Sequence, residues 1–303
     1  MTYPPDIEII IELVRELLPH SSYQVARMTS GSSTWVYRLD AAQETLYLRV
    51  LPEANASFGP EVAAHRHLRQ LGALVPEVLL WQHFNPQLER SLMLTSAIAG
   101  RDLQAQARPA NVGQVLRAAG RDLAHLHSLA VSGYGWIKRD SDDCRRLAAE
   151  HKSQIAWLEA EFLPALQTLY DHQVLGKAGL SAIESKLGDF VARAGDEARL
   201  AHGDFDLTHI FTDQQGYTGI IDFGEIRGTH PSYDLGHFAI ENQAHLPDLL
   251  AGYAEICPLP PDFEQQIALQ KRMIALRRAG IFLTRGRQPL ANDLAVLERL
   301  DLE

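Results

Sequence analysis

Cysteine is almost missing from this chain: 303 residues carry two, Cys144 and Cys257. Two thiols make no disulfide framework and suit a reducing compartment. Long hydrophobic runs are missing too. The apolar stretch from Ile7 to Leu18 is too short to span a bilayer, and Glu8, Glu12 and Glu16 within it argue against a signal peptide. The expectation is a soluble, cytoplasmic protein with no membrane contact. Positive charge is scarce: 28 Lys and Arg stand against 38 Asp and Glu, a formal charge of −10. That balance disfavours nucleic acid as a partner, because phosphate backbones need a basic surface. It is compatible with a cationic small molecule, and equally with an ordinary soluble surface. Repeats, low-complexity segments and flexible Pro/Ser linkers are absent. So is any Gly-x-x-x-x-Gly-Lys-Ser/Thr loop, which argues against that class of nucleotide fold.

What is present is enough apolar residue, 46% of the chain, for a full core across two lobes. Asp6 is placed to cap an opening helix and Pro19 to stop it. Tyr23 to Met28, Trp35 to Leu39 and Thr45 to Val50 alternate or cluster apolar residues as strands do. A helix follows, with Pro60 at its start and Gly72 at its end. Val78 to Phe84 and Ser91 to Ala97 read as two further strands, separated at Asn85-Pro86. Beyond Ala99-Gly100-Arg101 the pattern turns helical: about Val112 to Leu129, Asp143 to Tyr170, Leu180 to Ala194, Pro261 to Leu283 and Asn292 to Leu300. The glycine-flanked aromatics of Ser132 to Trp136 read as a packed loop or part of a cleft. The basic residues Lys271, Arg272, Arg277, Arg278, Arg285 and Arg287 read as a solvated helix face rather than an anion-binding patch.

The densest information lies between Ala201 and Gly236. His202-Gly203-Asp204 precedes two short apolar segments, Ile210 to Thr212 and Tyr217 to Ile221, which join at Gln214-Gln215-Gly216. Asp222-Phe223-Gly224 follows. The spacing predicts a loop carrying an acid, a hairpin, and a second acid at the hairpin's exit. Two carboxylates brought to one cleft in this way suit metal-assisted phosphoryl transfer, one accepting a proton and the other holding a divalent cation. The bland alternatives are an Asx turn at Asp204 and a turn cap at Asp222.

His202-Gly203-Asp204, Ile221-Asp222-Phe223-Gly224 and Asp234-Leu235-Gly236 together resemble the core motifs of the aminoglycoside phosphotransferase family, small-molecule kinases of the protein-kinase-like fold. One position departs: His209 stands where that family usually has Asn. The resemblance extends loosely from about Tyr23 to Arg285. It implies an α+β bilobal architecture, with residues 1–98 a nucleotide-binding lobe of five antiparallel strands and one helix. Residues 99–303 are then a helical lobe carrying the catalytic loop and the substrate site.

The resemblance also implies roles. Asp204 is the expected base and Asp222 the principal Mg²⁺ ligand. His209 is either a second, nitrogen ligand for an ion that prefers oxygen, or a structural histidine. His202 and Asp234 are expected to brace the loop from beneath. Gly31, Ser32 and Ser33, between two strands, match the loop that covers phosphates. Arg49 stands where protein kinases place a phosphate-binding lysine, with Glu61 as its partner. An Arg fork can hold a carboxylate on one edge and a phosphate on the other. The backbone of Ser96 and Ile98 is expected to meet the purine edge. The implied activity is Mg²⁺-dependent transfer of the γ-phosphate of ATP or GTP to a hydroxyl of a small molecule. Antibiotic amino sugars, hygromycin-like compounds, macrolides, choline, amino acids and sugars all occur as acceptors in that family. Residues 223–233 leave no space for a protein kinase's long activation segment. The competing reading is a nucleotide-binding pseudokinase with a regulatory role, for which Arg49 and His209 speak and the retained Asp204 and Asp222 do not.

Overall fold

A computed structural model describes residues 3–29, 34–105, 111–140, 147–177, 179–181, 183 and 197–298. The first lobe is a five-stranded sheet, wholly antiparallel, in the order β1-β2-β3-β5-β4. Its strands are Gln24–Met28, Trp35–Asp40, Thr45–Val50, Val78–Asn85 (β4) and Arg90–Ser96 (β5). The two-residue period of β3 sets its faces. Leu46, Leu48 and Val50 are buried against helix α1 (Ile7–Leu17), which supplies Ile10, Leu13 and Val14. Tyr47 and Arg49 therefore face the other way, towards the cleft between the lobes. Helix α2 (Gly59–Gln70) crosses between β3 and β4. Glu61, His65 and Leu68 recur at helical spacing on its buried side, where Glu61 meets Arg49 of β3 and the His65 ring lies edge-on to Phe223 of the second lobe at 4.6 Å.

The second lobe is mainly helical, as the sequence pattern predicts. Helix α3 (Val112–His127) lies against α6 (Leu246–Ile256), while α5 (Ser232–Asn242) packs on α7 (Phe263–Thr284). Helices α4 (Gln154–Asp171) and α8 (Ala291–Glu298) cover α7. Two small antiparallel sheets carry the loops. One joins Ala130–Val131 (β7), Ala198–Ala201 (β10), Arg227–Thr229 (β13), Tyr134–Ile137 (β8) and Ala149–His151 (β9). The other joins Arg101–Asp102 (β6) to the hairpin Ile210–Thr212 (β11) and Tyr217–Ile220 (β12). Main-chain bonds stitch the lobes: Ile220 N–H donates to the Leu74 carbonyl at 2.9 Å, and Ser57 N–H to the Arg139 carbonyl at 2.7 Å.

Three expectations change. The helix expected from Asp143 begins only at Gln154, where the Ser153 hydroxyl accepts the Ala156 N–H at 3.2 Å. Just ahead of it Ala149–His151 is a strand, because the edge of β8 offers it partners. The aromatics near Trp136 likewise form a strand, with Tyr134 stacked on buried Trp157 at 6.4 Å. Arg277 and Arg278 are not solvated. They pair with Glu161, and with Glu241 and Asp293, because α7 is covered on more than one side. The helix expected from Leu180 to Ala194 falls largely outside the described residues. Among the described residues no helix is long and apolar enough to cross a membrane.

The α3–α6 contact depends on two glycines. A Cβ on Gly252 would stand 1.7 Å from the Arg117 carbonyl oxygen, and one on Gly120 would stand 2.1 Å from that of Leu249. Gly→Ala inside a helix normally gains roughly 0.5–1 kcal/mol. Backbone cannot yield as a side chain does, so Gly252→Ala is expected to cost a net ~1–3 kcal/mol by overpacking. Urea unfolding measures it, and a stabilised variant would contradict this close approach.

Candidate active site

The site begins with a buried carboxylate. Asp234, in the first turn of α5, is fully buried. It accepts the backbone N–H groups of His202 at 2.7 Å and Gly203 at 2.8 Å, and His127 Nε2–H at 2.9 Å. Tyr253 OH meets His127 Nδ1 at 3.0 Å. Burial works against the Asp234 charge, but the His127 bond and charge, then His202 and the Gly203 N–H, hold its carboxyl below the ordinary value. The loop thus held needs glycine at 203, where φ is +88° and a Cβ would lie 2.0 Å from the Glu225 carbonyl oxygen. His202 is buried beneath it, donating Nε2–H to the Ile221 carbonyl at 2.8 Å.

From this base the chain projects Asp204, whose side chain is 46% exposed. Asp222, at the hairpin exit, is 51% exposed and adopts a left-handed conformation, φ 65°. It caps the short 3₁₀ turn Phe223–Glu225 by accepting the Gly224 N–H at 3.3 Å. Partial removal from water opposes the Asp222 charge. Arg49, His209, His202 and the Gly224 N–H outweigh it and hold the carboxyl below its usual range.

His209 lies between the two acids. Its Nδ1 is 2.7 Å from the Asp204 carbonyl, which can only accept, so Nδ1 carries the hydrogen. In the neutral ring the Nε2 lone pair is then left facing Asp222 Oδ2, 3.8 Å away. When His209 is neutral, its Nε2 lone pair and Asp222 Oδ2 can together take a divalent cation. Among the described residues no group of three or more His, Cys, Asp or Glu side chains could cage one. That still fits Mg²⁺, which retains several waters and is usually bound by one or two protein groups with substrate phosphates.

Across the cleft, Arg49 Nη1 donates to Glu61 Oε2 at 2.6 Å, and Arg49 Nη2 lies 3.9 Å from Asp222 Oδ1. Burial opposes the guanidinium charge, but Glu61 and then Asp222 more than offset it. Arg49 and Asp222 share a cavity of about 460 Å³ with Met28, Thr34, Ser96 and Ile98. Gly31, Ser32 and Ser33 lie outside the described residues, but their neighbours Met28 and Thr34 stand on the cavity wall. Of the Ser96 groups, the N–H is spent on the Glu77 carbonyl at 2.9 Å and the hydroxyl accepts the Glu77 N–H at 2.9 Å.

Residues 24–260 match the sequence model of the phosphotransferase enzyme family. The chain belongs to that family. No curated protein matches it in sequence. Among solved structures, a thermostable mutant of aminoglycoside phosphotransferase APH(4)-Ia superposes with a TM-score of 0.66 at 16% identity, over 96% of this chain and 97% of the other. A macrolide 2′-phosphotransferase, MphH from Brachybacterium faecium, gives 0.62 at 15% identity, over 98% and 99%. A structure with a provisional fructosamine-3-kinase designation, from Thermobifida fusca YX-ER1, gives 0.63 at 19%, over 96% and 97%. At these identities the shared property is the bilobal, protein-kinase-like fold of this phosphotransferase family.

Two residues at the site carry no motif signal. His237 donates Nδ1–H to the Phe205 carbonyl at 3.2 Å and turns Nε2 towards Asp204 Oδ1 at 3.4 Å. Its helical offset of three from Asp234 is the one cue, since it puts both on one face of α5. Arg139 reaches Glu61 Oε1 at 3.2 Å from the second lobe, a contact that local sequence does not encode.

Because the Asp234 carboxyl is held below its ordinary 3.8, its contribution to stability is fully present above that value. It is lost as pH falls through the lower folded value. Asp234→Asn removes a buried charge partner and is expected to cost ~3 kcal/mol at pH 7. Urea unfolding should show that difference beginning to shrink below about pH 4, where the carboxyl of the unfolded chain protonates, and vanishing once the folded carboxyl protonates at its lower value. A difference that stayed constant with pH would contradict the assignment.

Proposed function

We propose that this protein is a Mg²⁺-dependent phosphotransferase that moves the γ-phosphate of ATP or GTP to a hydroxyl of a small molecule, an aminoglycoside-like antibiotic or related metabolite. One observation carries the reading: two half-exposed carboxylates, Asp204 and Asp222, open on a cleft whose far wall presents the Arg49–Glu61 pair. Support comes from family membership and from a related ternary complex, in which APH(4)-Ia holds ADP and hygromycin B. Residues 1–98 form the nucleotide-binding part in this reading and residues 99–303 the part that takes the acceptor.

In this reading the purine takes the 460 Å³ cavity, which Ser96 and Ile98 line, and Gly31, Ser32 and Ser33 are the residues proposed to cover the phosphates. Arg49 keeps one edge of its fork on Glu61 and turns the other to phosphate oxygen. Asp222 Oδ2 and His209 Nε2 would hold Mg²⁺, which when bound neutralises phosphate charge. Asp204 orients the acceptor hydroxyl and takes its proton as the oxygen bonds to phosphorus and the nucleoside diphosphate leaves. His202 and Asp234 hold the loop rigid. A cytoplasmic setting goes with this reading, and the exposed free thiol of Cys257 suits a reducing compartment.

The test is ADP or GDP release with Mg²⁺ across a panel of aminoglycosides, hygromycin B, macrolides, choline, amino acids and sugars. Asp204→Asn should lower turnover ~10²–10⁴-fold, as for loss of a general base, while Mg²⁺·nucleotide still binds. Asp222→Asn should weaken both turnover and Mg²⁺-dependent nucleotide binding in calorimetry. His209→Asn restores an oxygen donor and should preserve or raise Mg²⁺ affinity, where His209→Ala lowers it. Nucleotide binding without turnover on any acceptor would favour the regulatory pseudokinase instead.

A further inference from the structure

Glu61 is 1% exposed, yet only one of its two oxygens is taken by Arg49. The other, Oε1, receives Arg139 Nη2–H at 3.2 Å, and the same Nη2 donates to the Gly224 carbonyl at 2.5 Å. Arg139 follows β8 in the second lobe, and its own carbonyl takes the Ser57 N–H just ahead of α2. A ring of contacts results. It runs from the Gly224 carbonyl through Arg139, Glu61 and Arg49 to Asp222, which returns to the Gly224 N–H. The ring crosses between the lobes twice, at Arg139–Glu61 and where Asp222 meets Arg49.

We propose that Arg139 is a positioning residue for phosphoryl transfer: by occupying Glu61 Oε1 it confines Glu61 to one edge of Arg49 and leaves the Nη2 edge free for phosphate. The inference rests on the function proposed above. Carboxylate and guanidinium prefer a two-pronged pairing. With Oε1 vacated, Glu61 can close on both edges of Arg49 and consume the donor that faces Asp222. Arg139 simultaneously pins the Gly224 carbonyl, so the turn that Asp222 caps keeps its distance from Arg49. Removing Arg139 therefore disturbs both the phosphate donor and the carboxylate opposite it.

The experiment measures Mg²⁺·AMP-PNP affinity by calorimetry and ADP release from Mg²⁺·ATP with water as acceptor. The proteins are wild type, Arg139→Gln, Arg139→Lys, Arg49→Lys and the Arg49→Lys/Arg139→Gln double variant. Arg139→Gln is expected to weaken nucleotide binding about 10-fold and to lower kcat by ~10- to 100-fold, the scale of a small misplacement in a reacting site. Arg139→Lys, a shorter point charge, should lose less in both constants and remains measurable where the glutamine variant folds poorly. In the Arg49→Lys background, which lacks the fork, Arg139→Gln should cost less than it does in the wild type, because only its hold on the Gly224 carbonyl remains to be lost. A merely structural arginine would lower the melting temperature and leave both constants alone. Unchanged constants in Arg139→Gln and Arg139→Lys, or losses that simply add in the double variant, would overturn the inference. Asp222→Asn with normal nucleotide binding and turnover would instead overturn the functional reading beneath it.

Discussion

A carboxylate without water must find donors, and Asp234 finds them in the backbone of the loop that carries Asp204. That constraint propagates. Because His202 and Gly203 are pulled onto Asp234, the loop turns sharply enough to need Gly203 at positive φ, and Asp204 is driven outward. The Asp204 carbonyl in turn fixes the hydrogen of His209 on Nδ1 and aims Nε2 at Asp222. Beneath, His202 ties the same loop to the Ile221 carbonyl, next to Asp222 itself. A single buried charge therefore sets the relative positions of both exposed acids.

The opposite wall follows the same logic with the signs arranged differently. Glu61 is buried at the start of α2, and two guanidinium groups from different lobes share it. Such an arrangement adds little net stability, because desolvating the charges consumes most of their attraction. Its effect is geometric. It fixes Arg49 within 3.9 Å of Asp222, so cation and anion stand at one cavity without closing on each other.

Much of this was legible in the sequence because it is local. The alternation in Leu46-Tyr47-Leu48-Arg49-Val50 gives both the strand and the side on which Arg49 stands. Pro60 and Gly72 bracket α2, Gly59–Gln70. What escaped depends on contacts distant along the chain. Ala149–His151 is a strand only because β8 presents an edge to it, and Arg277 is buried only because α4 delivers Glu161. Arg139 and His237 lie in no motif. Their partners, Glu61 and Asp204, are far away in sequence and meet them only in the fold.

On the proposed function, the cleft between Arg49 and Asp222 is where a metal–nucleotide complex would bind. Pulsed electron paramagnetic resonance of Mn²⁺ bound with AMP-PNP tests it most directly. The account predicts phosphorus couplings from the nucleotide together with one nitrogen coupling that disappears in His209→Asn. Mn²⁺ bound to the protein with no phosphorus coupling would contradict it.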